Sequence, residues 1–367
     1  MQRMFVSLLL AAATALSARE LVWDKDSLVL IREGGNYGRI VRVDAETLLC
    51  SFEFSGSVCA CRSTDEGQTW HSEVLIAASQ HGTTANPFVL RLKSGTVLCF
   101  YNERPRKGSG HPYAIMVSAS NDAAKTWRPP VRLYAAGQEF ENGCWEPSAV
   151  QLPRGEIQLF FANEGPYRST SEQEITLIRS LDEGSTWSEP HTVSFREGHR
   201  DGMPVPLVLN DNKGILLAIE DDGLNGPFKP VILSTSLENN WADGLVGGSS
   251  ARRWSALKTS LPAHVYAGAP FICQLPSGET VLSVQRSDGD PKKARMVVYL
   301  GTEDGKDFDG PSIPFPSSPG ASGLWNALFV KGSNTVTAIS ATTLRGSFGI
   351  WAIDGHIACP KRETSCY

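Results

Sequence analysis

The chain has 367 residues, of which 41% are hydrophobic, and its formal net charge is −5. The basic residues are scattered, so the sequence lacks the concentrated positive charge that binds nucleic acid or an anionic membrane. The 22 prolines, 34 glycines and 9% aromatic residues are typical of short strands joined by turns. We therefore expect an all-β protein with neither nucleic acid nor a membrane as its partner.

The first 18 residues have the pattern of a secretory signal peptide. Arg3 precedes an apolar run from Met4 to Ala15, and small residues up to Ala18 provide a cleavage site. A buried N-terminal helix is the alternative. No later apolar run approaches the ~18 residues that a membrane span needs. We predict a signal peptide over 1–18 and a secreted, extracellular mature protein with a single domain over 19–367.

The eight cysteines are an even number, which favours an oxidising compartment. Two pairs are close enough in sequence to suggest disulfides. Cys359 and Cys366 would close a short C-terminal loop. Cys50 and Cys61 would face each other across two strands if residues 55–56 form a two-residue turn.

Residues 141–164 predict a hairpin with a carboxylate at each open end. Apolar strands are expected over 148–152 and 157–162, joined by a tight turn. Glu146 precedes the first strand and Glu164 follows the second. Because these two strand ends lie at the same edge of a hairpin, both acids are expected on one rim of the fold.

This hairpin recurs at intervals of 49 to 66 residues, a spacing that accommodates a four-stranded sheet with its loops. The six copies begin at Gly38, Pro87, Pro147, Pro204, Pro270 and Trp325. Radial repetition of such sheets predicts a six-bladed β-propeller. The sixth blade lacks a fourth strand, and we expect the N-terminal segment 27–31 to supply it and close the ring.

A second motif, Ser-x-Asp-x-Gly-x-Thr-Trp, accompanies the hairpins. Complete copies span 63–70 and 180–187, the copy at 120–127 has lost its glycine, and a shortened copy covers 302–308. The aspartate is expected to accept local backbone N–H groups and the glycine to take positive φ. We interpret these aspartates as scaffold residues rather than catalytic or metal-binding groups.

The mouth of the central channel should collect residues that precede the first strand or follow the second strand of each blade. Acids, arginines, amides and aromatic rings at these positions suit binding of sugar hydroxyls and sugar rings. The predicted binding residues are Tyr37, Arg39, Asn86, Tyr101, Asn102, Trp145, Asn163, Glu164, Arg200, Asp201, Arg286 and Trp325. As alternatives, Arg39 pairs with an acid inside the scaffold and Trp325 packs in the core. No metal-ligand spacing or glycine-rich phosphate loop is present, so we predict no metal and no cofactor.

Two carboxylates stand out as a catalytic pair, because glycoside hydrolysis needs one on each side of the scissile bond. Glu146 lies between Trp145 and Pro147, against the innermost strand of blade three. Glu220 directly follows an apolar strand of blade four and precedes two aspartates, whose charge would raise its pKa. We predict Glu146 and Glu220 as the catalytic residues.

The hairpins with their Asp-boxes resemble the sialidase-like superfamily. Within it, the segments around Glu146, Glu164 and 200–221 resemble fungal glycoside hydrolase family 93. This resemblance implies a secreted exo-α-1,5-L-arabinanase that releases arabinobiose with retention, using Glu146 as acid/base and Glu220 as nucleophile. The family also uses a tyrosine near its nucleophile, for which this sequence has Phe329 at the position where we expected it.

Two alternatives to an arabinanase remain. A sialidase needs three arginines and a Tyr–Glu nucleophile pair; Arg39, Arg286 and Arg345 are candidates for the arginines, but no tyrosine occurs at the expected late strand. A non-catalytic sugar-binding propeller would keep the aromatic and amide groups without needing paired acids. In each case the expected partner is an oligosaccharide or polysaccharide, and no heptad pattern indicates assembly beyond a monomer.

Overall fold

Six antiparallel sheets arranged in a ring make up the fold, described by a computed structural model over residues 19–316 and 322–358. The N-terminal strands are β1 (Glu20–Trp23) and β2 (Val29–Glu33). Blade one contains β3 (Asn36–Arg42), β4 (Leu48–Phe54), β5 (Ser57–Ser63) and β6 (His71–Ala77). Blade two contains β7 (Gly82–Arg91), β8 (Val97–Pro105), β9 (Ala114–Ser120) and β10 (Val131–Ala135). Blade three contains β11 (Cys144–Gln151), β12 (Ile157–Asn163), β13 (Glu174–Ser180) and β14 (His191–Ser194).

The second half of the ring repeats this plan. Blade four contains β15 (Asp201–Val208), β16 (Gly214–Asp221), β17 (Lys229–Ser236) and β18 (Arg253–Ser255). Blade five contains β19 (Tyr266–Gln274), β20 (Thr280–Ser287), β21 (Arg295–Gly301) and β22 (Asp309–Ser312). Blade six contains β23 (Gly323–Val330), β24 (Thr335–Leu344) and β25 (Ser347–Ala358). The predicted six-bladed propeller is confirmed.

The helical turns of the described residues are three short 3-10 turns between strands, at Lys25–Ser27, Phe140–Asn142 and Pro291–Lys293. Over the described ranges, therefore, no helix has the length and apolarity needed to cross a membrane.

The N-terminal segment closes the ring, as predicted. Strand β2 pairs antiparallel with β25, with Val29 opposite Ala352, and β1 pairs with the far end of the same strand. The closing strand starts two residues later than the sequence suggested, because Asp24 caps the 3-10 turn that ends at Ser27. The additional strand β1 was not predicted.

Apolar clusters fill the gaps between neighbouring blades. Between blades three and four, for example, the fully buried Phe160 packs with Leu217 and with Trp241, whose ring meets it edge-on with centroids 5.9 Å apart. Alternate residues of each strand supply the two faces of a blade. The core of the protein is therefore a circle of such clusters around the central channel.

The Asp-boxes form the turns between the third and fourth strands of their blades. In blade three, Asp182 accepts the backbone N–H of Thr186 at 2.8 Å and its hydroxyl at 2.6 Å. The Trp187 indole donates to the carbonyl of Gly184 at 3.1 Å. These bonds hold the pKa of Asp182 below its ordinary value. The scaffold role predicted for these aspartates is thus visible in their contacts.

Cys50 lies directly opposite Cys61 on β4 and β5, the register expected from the sequence. The six cysteines of the described residues are nevertheless all free thiols, and each is buried. The predicted pair Cys359–Cys366 and the predicted signal peptide lie outside the described residues.

A buried ion cluster fixes the ends of β15 and β16. Asp201 faces Asp221 across this strand pair, and both carboxylates bind Arg196 and Arg253. Arg253 contacts both oxygens of Asp201, at 2.7 and 2.9 Å, and the side chains of both aspartates are at most 1% exposed. Glu220 immediately precedes Asp221, so this cluster also positions one of the two predicted catalytic residues.

Replacing Arg253 with alanine should lower the free energy of unfolding by about 3–5 kcal/mol, because it leaves two buried carboxylates short of a cation. Chemical denaturation of the folded protein measures this change. The control is Lys258→Ala, which removes a solvent-exposed ion pair with Asp309 and should cost less than about 1 kcal/mol. Equal effects of the two substitutions would contradict the structural importance of the cluster.

Candidate active site

A bulge interrupts the innermost strand of every blade at the same place. At each bulge the register shifts, and one non-glycine residue takes a positive φ of 47–56°. These residues are Tyr37, Asn86, Glu146, Met203, Ala269 and Trp325. Bulges redirect side chains and leave backbone groups unpaired in the sheet. Here the unpaired backbone N–H groups become available to the neighbouring blade.

Four of the bulge residues fill the centre of the ring. Tyr37, Met203 and Ala269 are buried against one another with Trp325 beside them, and the Tyr37 and Trp325 rings are 5.8 Å apart. Arg39 packs against this group, with its guanidinium 3.9 Å from the Tyr37 ring centroid. A cavity of about 10 Å³, room for about one water molecule, separates Tyr37 and Arg39 from Glu146.

Glu146 is itself a bulge residue, and this places its carboxylate against the next blade. Its Oε2 accepts the backbone N–H of Met203 at 3.2 Å. The side chain is half-buried. Burial raises the pKa of Glu146, and the charge of Glu220 raises it further. The two predicted catalytic carboxylates are thus close enough to interact.

Glu220 is held in an equivalent way between blades four and five. Its Oε2 accepts the backbone N–H of the bulge residue Ala269 at 2.7 Å. Its other oxygen lies over Gly202, where an added Cβ would approach Glu220 Oε1 to 3.1 Å and Gln173 Oε1 to 2.6 Å. Burial raises the pKa of Glu220, whereas the Ala269 N–H and the charge of Arg200 lower it.

The same contact between blades occurs elsewhere in the ring. In blade one, Glu53 accepts the N–H of the bulge residue Asn86 at 2.7 Å, and in blade five Gln285 accepts the N–H of Trp325. Glu53, Glu220 and Gln285 occupy corresponding positions on the second strands, each opposite the residue that begins the bulge. Either a glutamate or a glutamine can therefore accept this N–H group. The contact is structural, and the catalytic role predicted for Glu220 does not follow from it.

An ion pair flanks the two glutamates. Arg200 contacts Glu164, which also accepts from Gln173 at 2.8 Å. Glu164 is only 5% exposed, and burial raises its pKa while Arg200 lowers it. The charge of Arg200 also lowers the pKa of Glu220. Glu164 and Arg200, two of the predicted binding residues, thus lie together beside the two glutamates.

A tyrosine and an arginine that were not predicted also belong to this site. The Tyr266 hydroxyl lies next to Glu220, since a Cβ added at Gly268 would meet both groups, and Gln285 donates to it at 3.5 Å. Burial and then the charge of Glu220 raise the pKa of Tyr266. Arg104 contacts Asn86, lies 5.3 Å from the Trp145 ring, and lowers the pKa of Glu146. Only the folded ring brings these side chains to the glutamates.

Several other predicted binding residues lie inside the scaffold. Tyr101, Asn102 and Asn163 are at most 1% exposed, and Asn163 binds Tyr134 and Thr176 at 3.0 Å. Trp145, 7% exposed, packs against Tyr113 and Phe140.

Two charged residues from the predicted set also lie apart from the glutamates. Asp201 is enclosed in the buried ion cluster, where both its oxygens are taken by arginine. Arg286 binds the Tyr299 hydroxyl at 3.2 Å and lines a separate pocket. Within the described ranges, no group of three His, Cys, Asp or Glu residues is arranged to hold a metal ion.

The fold is similar to solved structures of sugar-cleaving enzymes. The α-L-arabinofuranosidase of Fusarium graminearum, solved with arabinobiose, is 19% identical with a TM-score of 0.71, and the match covers 90% of this chain and 97% of that one. The α-L-arabinanase of Penicillium chrysogenum, also complexed with arabinobiose, is 19% identical with a TM-score of 0.69, covering 90% and 98%. A sialidase of Streptococcus pneumoniae is 12% identical with a TM-score of 0.56, covering 89% and 70%. At these identities the similarity establishes the fold alone.

No curated protein sequence matches the chain. The family of BNR repeat-like domains matches residues 113–347, which is more than half of the chain. This match and the propeller neighbours confirm the resemblance to the sialidase-like superfamily. The chain therefore belongs to the BNR repeat-like domain family.

Proposed function

We propose that this protein is a secreted, retaining exo-glycoside hydrolase that releases arabinobiose from linear α-1,5-arabinan. The observation that carries the proposal is the pair Glu146 and Glu220, two half-buried carboxylates from neighbouring blades, with the charge of Glu220 raising the pKa of Glu146. Most glycosidases use such a pair of carboxylates to cleave the glycosidic bond. The choice of arabinan rests on the segments that resemble family 93 and on the two neighbouring structures solved with arabinobiose.

The environments of the two glutamates support different roles. Glu220 accepts a short hydrogen bond from Ala269 and lies near Arg200, and both favour its ionised form. Glu146 carries the larger effect of its partner's negative charge, which favours its protonated form. We assign Glu220 as the nucleophile and Glu146 as the acid/base.

In the first step, the Glu220 carboxylate attacks the anomeric carbon while Glu146 transfers its proton to the departing glycosidic oxygen. A glycosyl ester of Glu220 forms and the C–O bond to the rest of the chain breaks. In the second step, Glu146 removes a proton from water, which attacks the anomeric carbon and releases Glu220. Two inversions give net retention, which NMR of the first product tests directly.

Two of the arginines suggested for a sialidase, Arg39 and Arg286, are engaged in other contacts. A sialidase binds the carboxylate of its substrate with arginines, but Arg39 is 5% exposed and donates to the carbonyls of Gly38 and Trp325. Its guanidinium is covered by the Tyr37 ring. Arg286 binds Tyr299 in another pocket. These two arginines therefore do not form a carboxylate clamp at the glutamates.

Glu146→Gln should reduce the turnover of linear arabinan by about 10²–10⁴-fold, the usual contribution of general acid–base catalysis. Glu220→Gln should abolish turnover, because an amide is not a nucleophile, while the fold is preserved because Gln285 shows that glutamine can accept the N–H of a bulge residue. Chromatography of the products from arabinan measures both effects.

The matched control is Glu53→Gln, the same substitution at the corresponding position of blade one, which should leave turnover nearly unchanged. Full activity in Glu220→Gln would rule out the proposed nucleophile. Arabinan bound by the wild-type protein without any cleavage would instead identify a sugar-binding propeller, and cleavage of a sialoside would identify a sialidase.

The pH dependence of kcat/KM should be bell-shaped, with an alkaline limb above the ordinary pKa of a glutamate. The reason is that burial and the charge of Glu220 raise the pKa of Glu146, so its acid form persists to higher pH and activity falls as the pH rises through that raised pKa. The alkaline limb should disappear in Glu146→Gln, assayed with an aryl arabinobioside whose leaving group needs little protonation. A limb that survives the substitution would assign the acid to another residue.

A further inference from the structure

Two arginines lie directly opposite each other on neighbouring strands of blade five. Arg286 on β20 faces Arg295 on β21 in the antiparallel register. Like charges at such a position destabilise a sheet unless an anion compensates them. Among the described residues, no carboxylate forms an ion pair with either arginine, and the only side-chain partner of Arg286 is the Tyr299 hydroxyl at 3.2 Å.

These arginines line a pocket of about 410 Å³ together with Lys293 from the connecting loop. The Lys293 side chain is 78% exposed, and its ammonium is 3.9 Å from Asp290. Asp288 is the one acid in the pocket wall, so positive charge predominates. Ser287 also lines the pocket, although its hydroxyl is buried and has no hydrogen-bond partner. The pocket is thus lined by three cations and one acid.

The pocket is distinct from the glutamates although it borders the same strand end. Gln285 directs its side chain to Trp325 and Tyr266, beside Glu220. Arg286 is the next residue, so its side chain points to the opposite face of the blade. A ligand in this pocket therefore leaves the proposed catalytic centre free.

We propose that this pocket binds the carboxylate of an acidic sugar. Guanidinium groups match the planar carboxylate with paired hydrogen bonds. The volume lies in the range of small organic ligands rather than bare ions, and Val297, Pro311 and Ile313 provide apolar surface for the carbon skeleton. The choice of a sugar acid rests on the proposed function, since a uronate is the anionic unit that a cell-wall polysaccharide carries.

Isothermal titration calorimetry with galacturonate tests this proposal, with galactose as the neutral probe. We expect saturable binding of galacturonate, none of galactose, and weaker binding at higher salt. Arg295→Ala should weaken binding by roughly tenfold or more, as expected for loss of a charged hydrogen bond. The same variant should cleave arabinan like the wild type, because Arg295 pairs with Arg286, on the face of the blade opposite to the Gln285 side chain. Binding is measured without turnover, so failure here is distinguishable from failure of the proposed hydrolysis.

Lys292→Ala is the matched control, because Lys292 shares the 3-10 turn with Lys293 but does not line the pocket. It should bind galacturonate like the wild type, whereas Lys293→Ala should bind more weakly and provides a second test at an exposed position. Absence of galacturonate binding, or binding unchanged in both Arg295→Ala and Lys293→Ala, would refute the proposal. Binding of inorganic phosphate without galacturonate would also refute it, by showing a site for inorganic oxyanions only.

Discussion

The bulge in each innermost strand is the constraint on which the site depends. A non-glycine residue at positive φ costs of order 1–3 kcal/mol, and all six blades retain one. In four of the blades, the bulge provides a backbone N–H that leaves its own sheet and meets a side chain of the preceding blade. At Met203 and Ala269 that side chain is one of the two glutamates, so the contact that joins neighbouring blades also orients the carboxylates.

The two carboxylate pairs of this region differ in how their negative charge is compensated. The pair Asp201–Asp221 is fully compensated by two arginines and is structural. The pair Glu146–Glu220 receives N–H groups and the more distant charges of Arg104 and Arg200, and the pKa of each glutamate stays raised. Two interacting carboxylates without a direct cation resist ionising together, so one can hold a proton while the other is charged, as a retaining glycosidase needs.

The sequence predicted the parts of the fold that are encoded locally. Strand alternation, turns and Asp-boxes each depend on residues within one hairpin, so the six blades and the closing strand were recognised. The site was predicted less well because side chains alternate between faces. In three blades the second-strand residue opposite the start of the bulge is Asn102, Ala162 or Gln285. The predicted residues Tyr101, Asn163 and Arg286 are each one position away along the same strand. Their side chains therefore point to the other face. Tyr266 and Arg104 reach the glutamates only through tertiary packing.

The way the ring is closed has a consequence for how the protein folds. Strands β1 and β2 both pair with β25, so the first and last described strands depend on each other across more than 300 residues. Such contacts form late, because a long loop must close before they contribute. During synthesis the N-terminal strands emerge first and then lack a partner until β25 follows. In that interval they are unpaired edges, and we expect a chain truncated before β25 to aggregate rather than to form a five-bladed ring.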